Sequence, residues 1–335
     1  MRWLVTGGCG FIGSALVRRL LGVDPPPPGG VQAPVERVVV LDALTYAGRR
    51  ENLAPCLDDP RLALVHGDIA DAALVRRVLE EHRPSALLNL AAESHVDRSL
   101  TGSSPFLHTN VQGAQVLLEA WRAYGGGRFL QVSTDEVYGS MAEGQSASEA
   151  SPLAPSSPYA ASKAAGDLLV LAAVRSWGLD AVITRSCNNL GPRQHPEKLI
   201  PLMIAHALQG WDLPVYGSGL NVRDWVLVHD NCEGLLRAAL MGRQGRVYNL
   251  GAGQERDNLQ VVRGVLAQIG ADPALIRRVA DRPGHDWRYS LDSRRALDEL
   301  GWSATVPFEP ALEQTVRWYL EHRSWWEPLL PEEAP

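Results

Sequence analysis

The sequence predicts a doubly wound α/β fold, a parallel sheet with helices on both faces, joined to a smaller mixed α/β unit. Three observations carry this. Short runs rich in β-branched residues recur through the first half, stretches with helical periodicity separate them, and a glycine-rich turn links the first run to the first helix. The runs Arg2–Thr6, Arg37–Leu41, Ala63–His66, Ala86–Leu90 and Phe129–Ser133 read as buried strands. Helical patterns fall around Ile12–Leu21, Leu74–His82 and Val111–Tyr124. Such alternation requires crossover connections and hence a parallel sheet. Asp24–Pro34 is too rich in proline and glycine for a helix or central strand and reads as a surface excursion.

The second half is less regular. Ala160–Ser176 reads as a helix and Ala181–Arg185 as a strand; Asn188–Tyr216 mixes proline, glycine and a short helix. A strand at Val222–Val228, a helix at Asn231–Met241 and a strand at Val247–Leu250 follow. Leu259–Ile269 and Pro310–His322 read as helices, and the tail after Trp325 is proline-rich. The expected division is a dinucleotide-binding domain of residues 1–186 and 221–250, and a smaller substrate-binding unit of residues 187–220 and 251–335.

Composition narrows the function classes. The 335 residues suit about two domains. A net charge of −6 gives no reason to expect nucleic acid or an anionic membrane as partner. Cys9, Cys56, Cys187 and Cys232 lack metal-site spacing, so no metal is expected and a reducing cytoplasm is the default. The sequence enters a strand within its first six residues, which leaves no room for a signal peptide, and the apolar stretch Leu168–Val174 is too short to span a bilayer. Of 32 basic residues only Lys163 and Lys198 are lysines, which marks both as positions where an ammonium differs from a guanidinium.

Gly7-Gly8-Cys9-Gly10-Phe11-Ile12-Gly13 follows a strand and opens a helix. Glycines at Gly7, Gly10 and Gly13 allow a tight turn and let backbone approach a pyrophosphate at the helix N-terminus, the signature of a Rossmann-type dinucleotide site. Asp42 ends the second strand, where a carboxylate accepts ribose hydroxyls and repels a 2′-phosphate; NAD is expected over NADP. Asp68-Ile69 is read as an adenine contact, with helix capping by Asp68 as the alternative.

Tyr159 and Lys163 lie four residues apart at a helix start, so phenol and ammonium share one face. A free phenol, with a pKa near ~10, is a poor base at neutral pH, and a nearby lysine and an oxidised nicotinamide would lower that value. Thr134-Asp135-Glu136 stands at the end of the fifth strand, where parallel sheets bind ligands. Adjacent carboxylates there repel each other. The functional reading is an acid and a base of opposed role; the alternative is a capping pair in a loop.

These motifs, with Leu90–Ser99 (LAAESHVDRS), Leu41–Gly48, Asn188–Pro192, Pro196–Pro201, Leu213–Gly217, Asn221–Trp225 and Arg282–Tyr289, resemble the extended short-chain dehydrogenase/reductase superfamily. Within it the Thr-Asp-Glu triplet is most similar to the dTDP-glucose 4,6-dehydratases. The resemblance implies that Thr134 and Tyr159 engage the C4 hydroxyl while hydride passes from C4 to NAD. It implies that Glu136 removes the C5 proton, that Asp135 protonates the departing C6 hydroxyl, and that hydride returns at C6. It also implies that Phe11, Ile12, Ala43, Leu44, Thr45, Leu90, Ala91, Ala92, Glu93, Ser94, Thr109 and Asn189 join the cofactor site. Ser94, Asn188, Lys198, Leu199, Pro214, Tyr216, Arg223, Asn258, His285 and Tyr289 are implied to hold the nucleotide sugar, Arg223 by forking onto pyrophosphate. A homodimer through the Tyr159 helix is implied as well. Val226–Asp230 departs from the superfamily at Leu227 and His229, and His229 reads as a structural histidine. The rivals are a nucleotide-sugar 4-epimerase or UDP-glucuronate decarboxylase on the same scaffold, and a catalytically silent NAD-binding sensor.

Overall fold

The computed structural model describes residues 1–331, so the last four residues of the expected smaller unit lie outside it. In chain order the elements are β1 (Arg2–Thr6), α1 (Phe11–Leu21), β2 (Arg37–Asp42), β3 (Leu62–His66), α2 (Ala72–His82), β4 (Ala86–Asn89), α3 (Val96–Thr101), α4 (Ser104–Phe106), α5 (Ala114–Tyr124) and β5 (Arg128–Thr134). Then come α6 (Pro158–Trp177), β6 (Ala181–Ser186), β7 (Asn188–Leu190), α7 (Leu199–Gln209), β8 (Leu213–Tyr216), β9 (Val222–Leu227), α8 (Val228–Met241) and β10 (Val247–Leu250). The chain closes with β11 (Glu255–Asp257), α9 (Asn258–Ile269), β12 (Ile276–Val279), α10 (Arg294–Leu300), α11 (Phe308–Glu321) and α12 (Arg323–Trp326).

Seven strands form the main sheet in the order β10-β6-β5-β4-β1-β2-β3, and every pairing in it is parallel. Val38 to Leu41 are fully buried, as a strand covered on both faces demands. One apolar core lies under α1 and α8 and a second under α2, α5 and α6. The winding direction reverses between β1 and β4, and this is where an open α/β sheet parts to form a ligand crevice.

Local chemistry fixes the helix that carries Tyr159. The Ser157 hydroxyl accepts the Ala160 N–H at 3.1 Å, Pro158 occupies the first turn, and Gly178 closes the helix at φ 68°. The fifth helical region begins as a π-helical turn at Leu107–Gly113, where a regular α-helix from Val111 was expected. A single wide turn of this type re-aims side chains and recurs at functional sites. Here Asn110 turns inward, donating to the Glu93 carbonyl at 3.0 Å and to the Ser162 hydroxyl at 2.8 Å.

The smaller unit is built on a third core, from α7, α9 and α11, with one sheet of β7, β9 and β11 and another of β8 and β12. Two segments sit differently from the expected division. β9 joins this small sheet and not the main one, because Val222–Leu227 pairs with β7 and β11. Leu291, Ala296, Leu300 and Trp302 pack into the first core beside α8, although their stretch was expected in the smaller unit. Val228 begins α8 instead of ending a strand. Asp24–Pro34 is irregular as expected, but it is docked. Glu233 accepts the Val31 N–H at 2.7 Å, and Asp24 meets Arg18 at 2.9 Å and His229 at 3.4 Å. His229 is thereby tied to the excursion and plays no part in the crevice.

Among the described residues no helix is long and apolar enough to cross a membrane. Asp230 ties α8 to the loop after α10: its buried carboxylate accepts the N–H groups of Thr305 (2.7 Å) and Val306 (2.9 Å) and the Thr305 hydroxyl (2.8 Å). Replacing Asp230 by Ala strands these donors, so urea unfolding should show a loss of about 3 kcal/mol. A loss below about 1 kcal/mol would show that the loop holds without them.

Candidate active site

One continuous cleft follows the carboxyl ends of the parallel strands. Gly7 lines it beyond β1, Asp42 at β2, Asp68 after β3, Leu90 after β4, Thr134 at β5 and Ser186 at β6. All five expected catalytic residues line this cleft, as do Ser94, Asn188, Lys198 and Leu199. Every expected cofactor residue except Leu44 does so too. Leu44 stands beside it at φ 50°, its N–H given to Asp42 Oδ1 at 2.8 Å.

The dinucleotide end fits the group inferred from the sequence. A Cβ at Gly13 would stand 2.1 Å from the Gly7 carbonyl oxygen, and one at Gly7, where φ is 66°, would stand 2.7 Å from Ala91 backbone. Only glycine permits that packing. The first turn of α1 has no side-chain cap and no acidic residue, so its free N–H groups suit a pyrophosphate. Asp42 is aimed by the Cys9 and Leu44 N–H groups, each at 2.8 Å. Asp68 accepts the Ala70 N–H at 2.8 Å and contacts His108 at 2.9 Å, so it caps a turn while lining the cleft.

At the other end, β5 stops at Thr134, and a 3₁₀ turn over Asp135–Tyr138 places two carboxyls side by side. Their surroundings differ. Asp135 is buried, with one oxygen 3.1 Å from the Thr134 hydroxyl and the other without a hydrogen-bond partner. Burial first, and Glu136 next to it, push its carboxyl well above the usual range, which favours the protonated form. Burial also raises Glu136, but Arg282, Arg223 and Lys198 pull it back down, in that order. Both carboxyls are raised, Asp135 strongly and Glu136 against the pull of three cations, so their environments differ in degree.

Tyr159 and Lys163 are both buried on one face of α6. Burial first, and Glu136 second, push the phenol up, with partial relief from the Thr134 hydroxyl. This differs from the lowered value expected, and the reason is geometric: the Lys163 ammonium donates to the Val132 carbonyl at 2.6 Å. Burial lowers Lys163 itself to about 8, against an opposing pull from Asp167.

Pro214, Tyr216, Arg223, Asn258, His285 and Tyr289 are not among the residues that line the cleft, and four of them pair off, Tyr216 with His285 and Arg223 with Tyr289. Tyr216 donates to Asp97 at 3.0 Å and meets the His285 ring edge-on. The Arg223 guanidinium lies 4.1 Å from the Tyr289 ring centre and gives its donors to the carbonyls of Val222 (2.7 Å) and Asp286 (2.9 Å). Both terminal nitrogens of its fork thus reach backbone carbonyls, with further N–H donors of the guanidinium left over. Sequence reasoning gave no role to Arg282, which faces Glu136 electrostatically and Asp97 at 3.3 Å, nor to Asn110, Tyr46, Arg98, His195 and Glu197. Arg282, Tyr46, Arg98 and Glu197 lie inside recognised motifs, but only the fold brings them to one place.

The family model described as GDP-mannose 4,6 dehydratase matches residues 4–315. A dTDP-glucose 4,6-dehydratase of Streptomyces niveus is 50% identical over 335 residues, which cover all of this chain and 97% of that one. The crystal structure of DesIV, a dTDP-glucose 4,6-dehydratase from Streptomyces venezuelae with NAD bound, superposes with a TM-score of 0.94 at 53% identity, covering 98% of this chain and all of the other. A UDP-glucose 4-epimerase of Thermus thermophilus in complex with NAD follows at a TM-score of 0.86 and 32% identity, over 96% of this chain and all of that one. The chain belongs to the nucleotide-sugar 4,6-dehydratase family of the extended short-chain dehydrogenases/reductases, and the relatives it shares half its residues with are dTDP-glucose 4,6-dehydratases.

Proposed function

We propose that this chain is an NAD-dependent hydro-lyase that converts dTDP-glucose to dTDP-4-keto-6-deoxyglucose. The observation that carries the reading is the pair Asp135 and Glu136, one enclosed and raised by burial and one facing three cations, in a single cleft with Tyr159 and the glycine cradle. An epimerase has no C6 leaving group and no need for the acid. Bound NAD supplies a two-electron acceptor at C4 and the matching donor at C6, so the cycle is redox-neutral.

The residues divide the remaining work. The turn Gly7–Gly13 and the α1 N-terminus hold the pyrophosphate, and Asp42 accepts the adenosine ribose hydroxyls. Tyr159 takes the C4 hydroxyl proton, with Thr134 positioning that oxygen. Burial holds the phenol protonated while Lys163 is engaged with the Val132 carbonyl, so the phenolate would need the positive charge of an oxidised nicotinamide beside it. Once C4 is a ketone the C5 proton is acidic, and Glu136 removes it. Asp135 gives its proton to the C6 hydroxyl, which leaves as water; Glu136 then returns its proton to C5 as hydride comes back to C6, and the proton that Tyr159 took restores Asp135. Lys198 and Leu199 meet the nucleotide end, and the group around Tyr216, His285 and Tyr289 closes the outer side.

A second copy of this chain is proposed as the partner. Leu107 and Leu168 are more than half exposed on neighbouring helical faces, beside a groove lined by Val111 and Leu169. All four cysteines are free and buried, in keeping with a reducing cytoplasmic setting.

Glu136→Gln should lower kcat by about 10³-fold or more while C4 oxidation still proceeds, leaving reduced cofactor visible by absorbance. Normal dehydration by that variant would remove Glu136 as the base. The kcat profile should rise with pH as Glu136 ionises above the usual carboxylate range and fall as Lys163 loses its proton near about 8; a flat profile through neutral and mildly alkaline pH would contradict both assignments. By sedimentation the chain should run at twice its own mass, and Leu168→Arg should return it to one; a wild-type monomer would reject the dimer.

A further inference from the structure

Three loops meet over the middle of the cleft at the carboxylate of Glu197. Tyr46 comes from the loop after β2, His95 and Arg98 from the start of α3, and His195 and Glu197 from the segment before α7. The Tyr46 hydroxyl donates to Glu197 Oε1 at 3.0 Å. The Arg98 guanidinium lies 3.7 Å from the Tyr46 ring centre and 3.5 Å from Glu197 Oε2. His95 Nε2 stands 3.7 Å and His195 Nδ1 4.0 Å from that same oxygen. The His195 ring also packs edge-on against Tyr46. Behind this cluster the Tyr319 hydroxyl donates to the Gln194 carbonyl, anchoring the segment on the smaller unit's core.

The cluster lies where the two units face each other across the cofactor groove. Ala47 and Gly48, next to Tyr46, line the cleft on the Asp42 side, Glu93 and Ser94, next to His95, line it on the nicotinamide side, and His195 and Glu197 line it directly. Glu197 is nearly buried, yet its Oε2 makes no hydrogen bond. Arg98 and His95 Nε2 stand just beyond bonding range of that oxygen, so an inward movement of less than about 1 Å by each would complete two contacts, while His195 Nδ1 accepts the Glu197 N–H at 3.4 Å and steadies the turn. Burial lowers both imidazoles to about 4, leaving Lys198 and Arg98 as the cations that face Glu197 and Tyr46 as the neutral donor.

We infer that Glu197 is the keystone of a strap that closes the cleft over the bound dinucleotide and retains it between turnovers. The inference rests on the NAD reading above and names what keeps the cofactor from leaving. A redox-neutral cycle has no use for exchange, and a dinucleotide lost before C6 is reduced strands the substrate as an unsaturated ketone. Each arm of the strap grips a different length of the groove, so the carboxylate must be released before the groove opens.

The test compares purified wild type with Glu197→Gln and Tyr46→Phe. Bound NAD per chain is measured after exhaustive desalting, and its dissociation rate is measured by exchange into labelled NAD. Wild type should retain close to one NAD per chain. Glu197→Gln should dissociate it about tenfold or more faster and Tyr46→Phe several-fold faster, with melting temperatures near wild type and turnover recovered by excess NAD. Retention and exchange equal to wild type in both variants would overturn the strap and leave the NAD reading intact. A wild type that never carries NAD would instead overturn the reading itself. If Glu197→Gln fails to fold, the Tyr46→Phe rate decides, because that change removes a single hydroxyl.

Discussion

Two carboxyl groups on consecutive residues, held where water is scarce, constrain everything else in this molecule. Like charges that close in a poorly solvated cleft cannot both ionise cheaply. The structure eases the conflict by asymmetry: Asp135 has one hydroxyl partner and feels Arg223 against the carboxylates of Glu136 and Asp224, whereas Glu136 faces three cations, Arg282, Arg223 and Lys198. An acid and a base on neighbouring residues match the two neighbouring carbons across which water is eliminated. The arrangement depends on β5 ending at Thr134, since a one-residue shift in a strand would send these side chains to the opposite face.

The parallel sheet delivers the other components to the same edge. Six strand ends contribute lining residues, so the cofactor groove is a consequence of topology before it is one of side-chain choice. The smaller unit then supplies what the sheet cannot, namely cations over Glu136 and a cover for the groove. Its link to the first domain runs through Asp230, which bonds the loop after α10, and through Asp224, which accepts the N–H groups of Ala252, Gly253 and Gln254.

Much of this was legible in the sequence because it is local. Gly7 to Gly13 declare themselves by strand, turn and helix context, and Tyr159 and Lys163 by a four-residue spacing. Asp135 and Glu136 follow from their place at a strand end, and the triplet they form with Thr134 carries the family likeness. What was not legible is what depends on long-range pairing. Nothing near Val222–Leu227 says that it joins β7 and β11, because a buried strand reads alike in either sheet. Arg223 was expected to fork onto pyrophosphate, and nothing near it says that its terminal nitrogens also reach the carbonyls of Val222 and Asp286, the latter some sixty residues away. The π-helical turn before α5, which turns Asn110 inward, has the apolar spacing of an ordinary helix. Glu197 lay within a recognised motif, yet its partners come from positions 46, 95, 98 and 195 and converge only in the folded chain.

The central claim is that residue 135 carries a proton at neutral pH while residue 136 does not. Infrared difference spectra of the purified protein against Asp135→Asn and Glu136→Gln, taken at neutral pH, address it directly. The account predicts that the first substitution removes a protonated-carboxyl band and the second removes a carboxylate band. Loss of a carboxylate band in both spectra would mean that the cleft holds two bases and no acid, and the proposed elimination would have no proton donor.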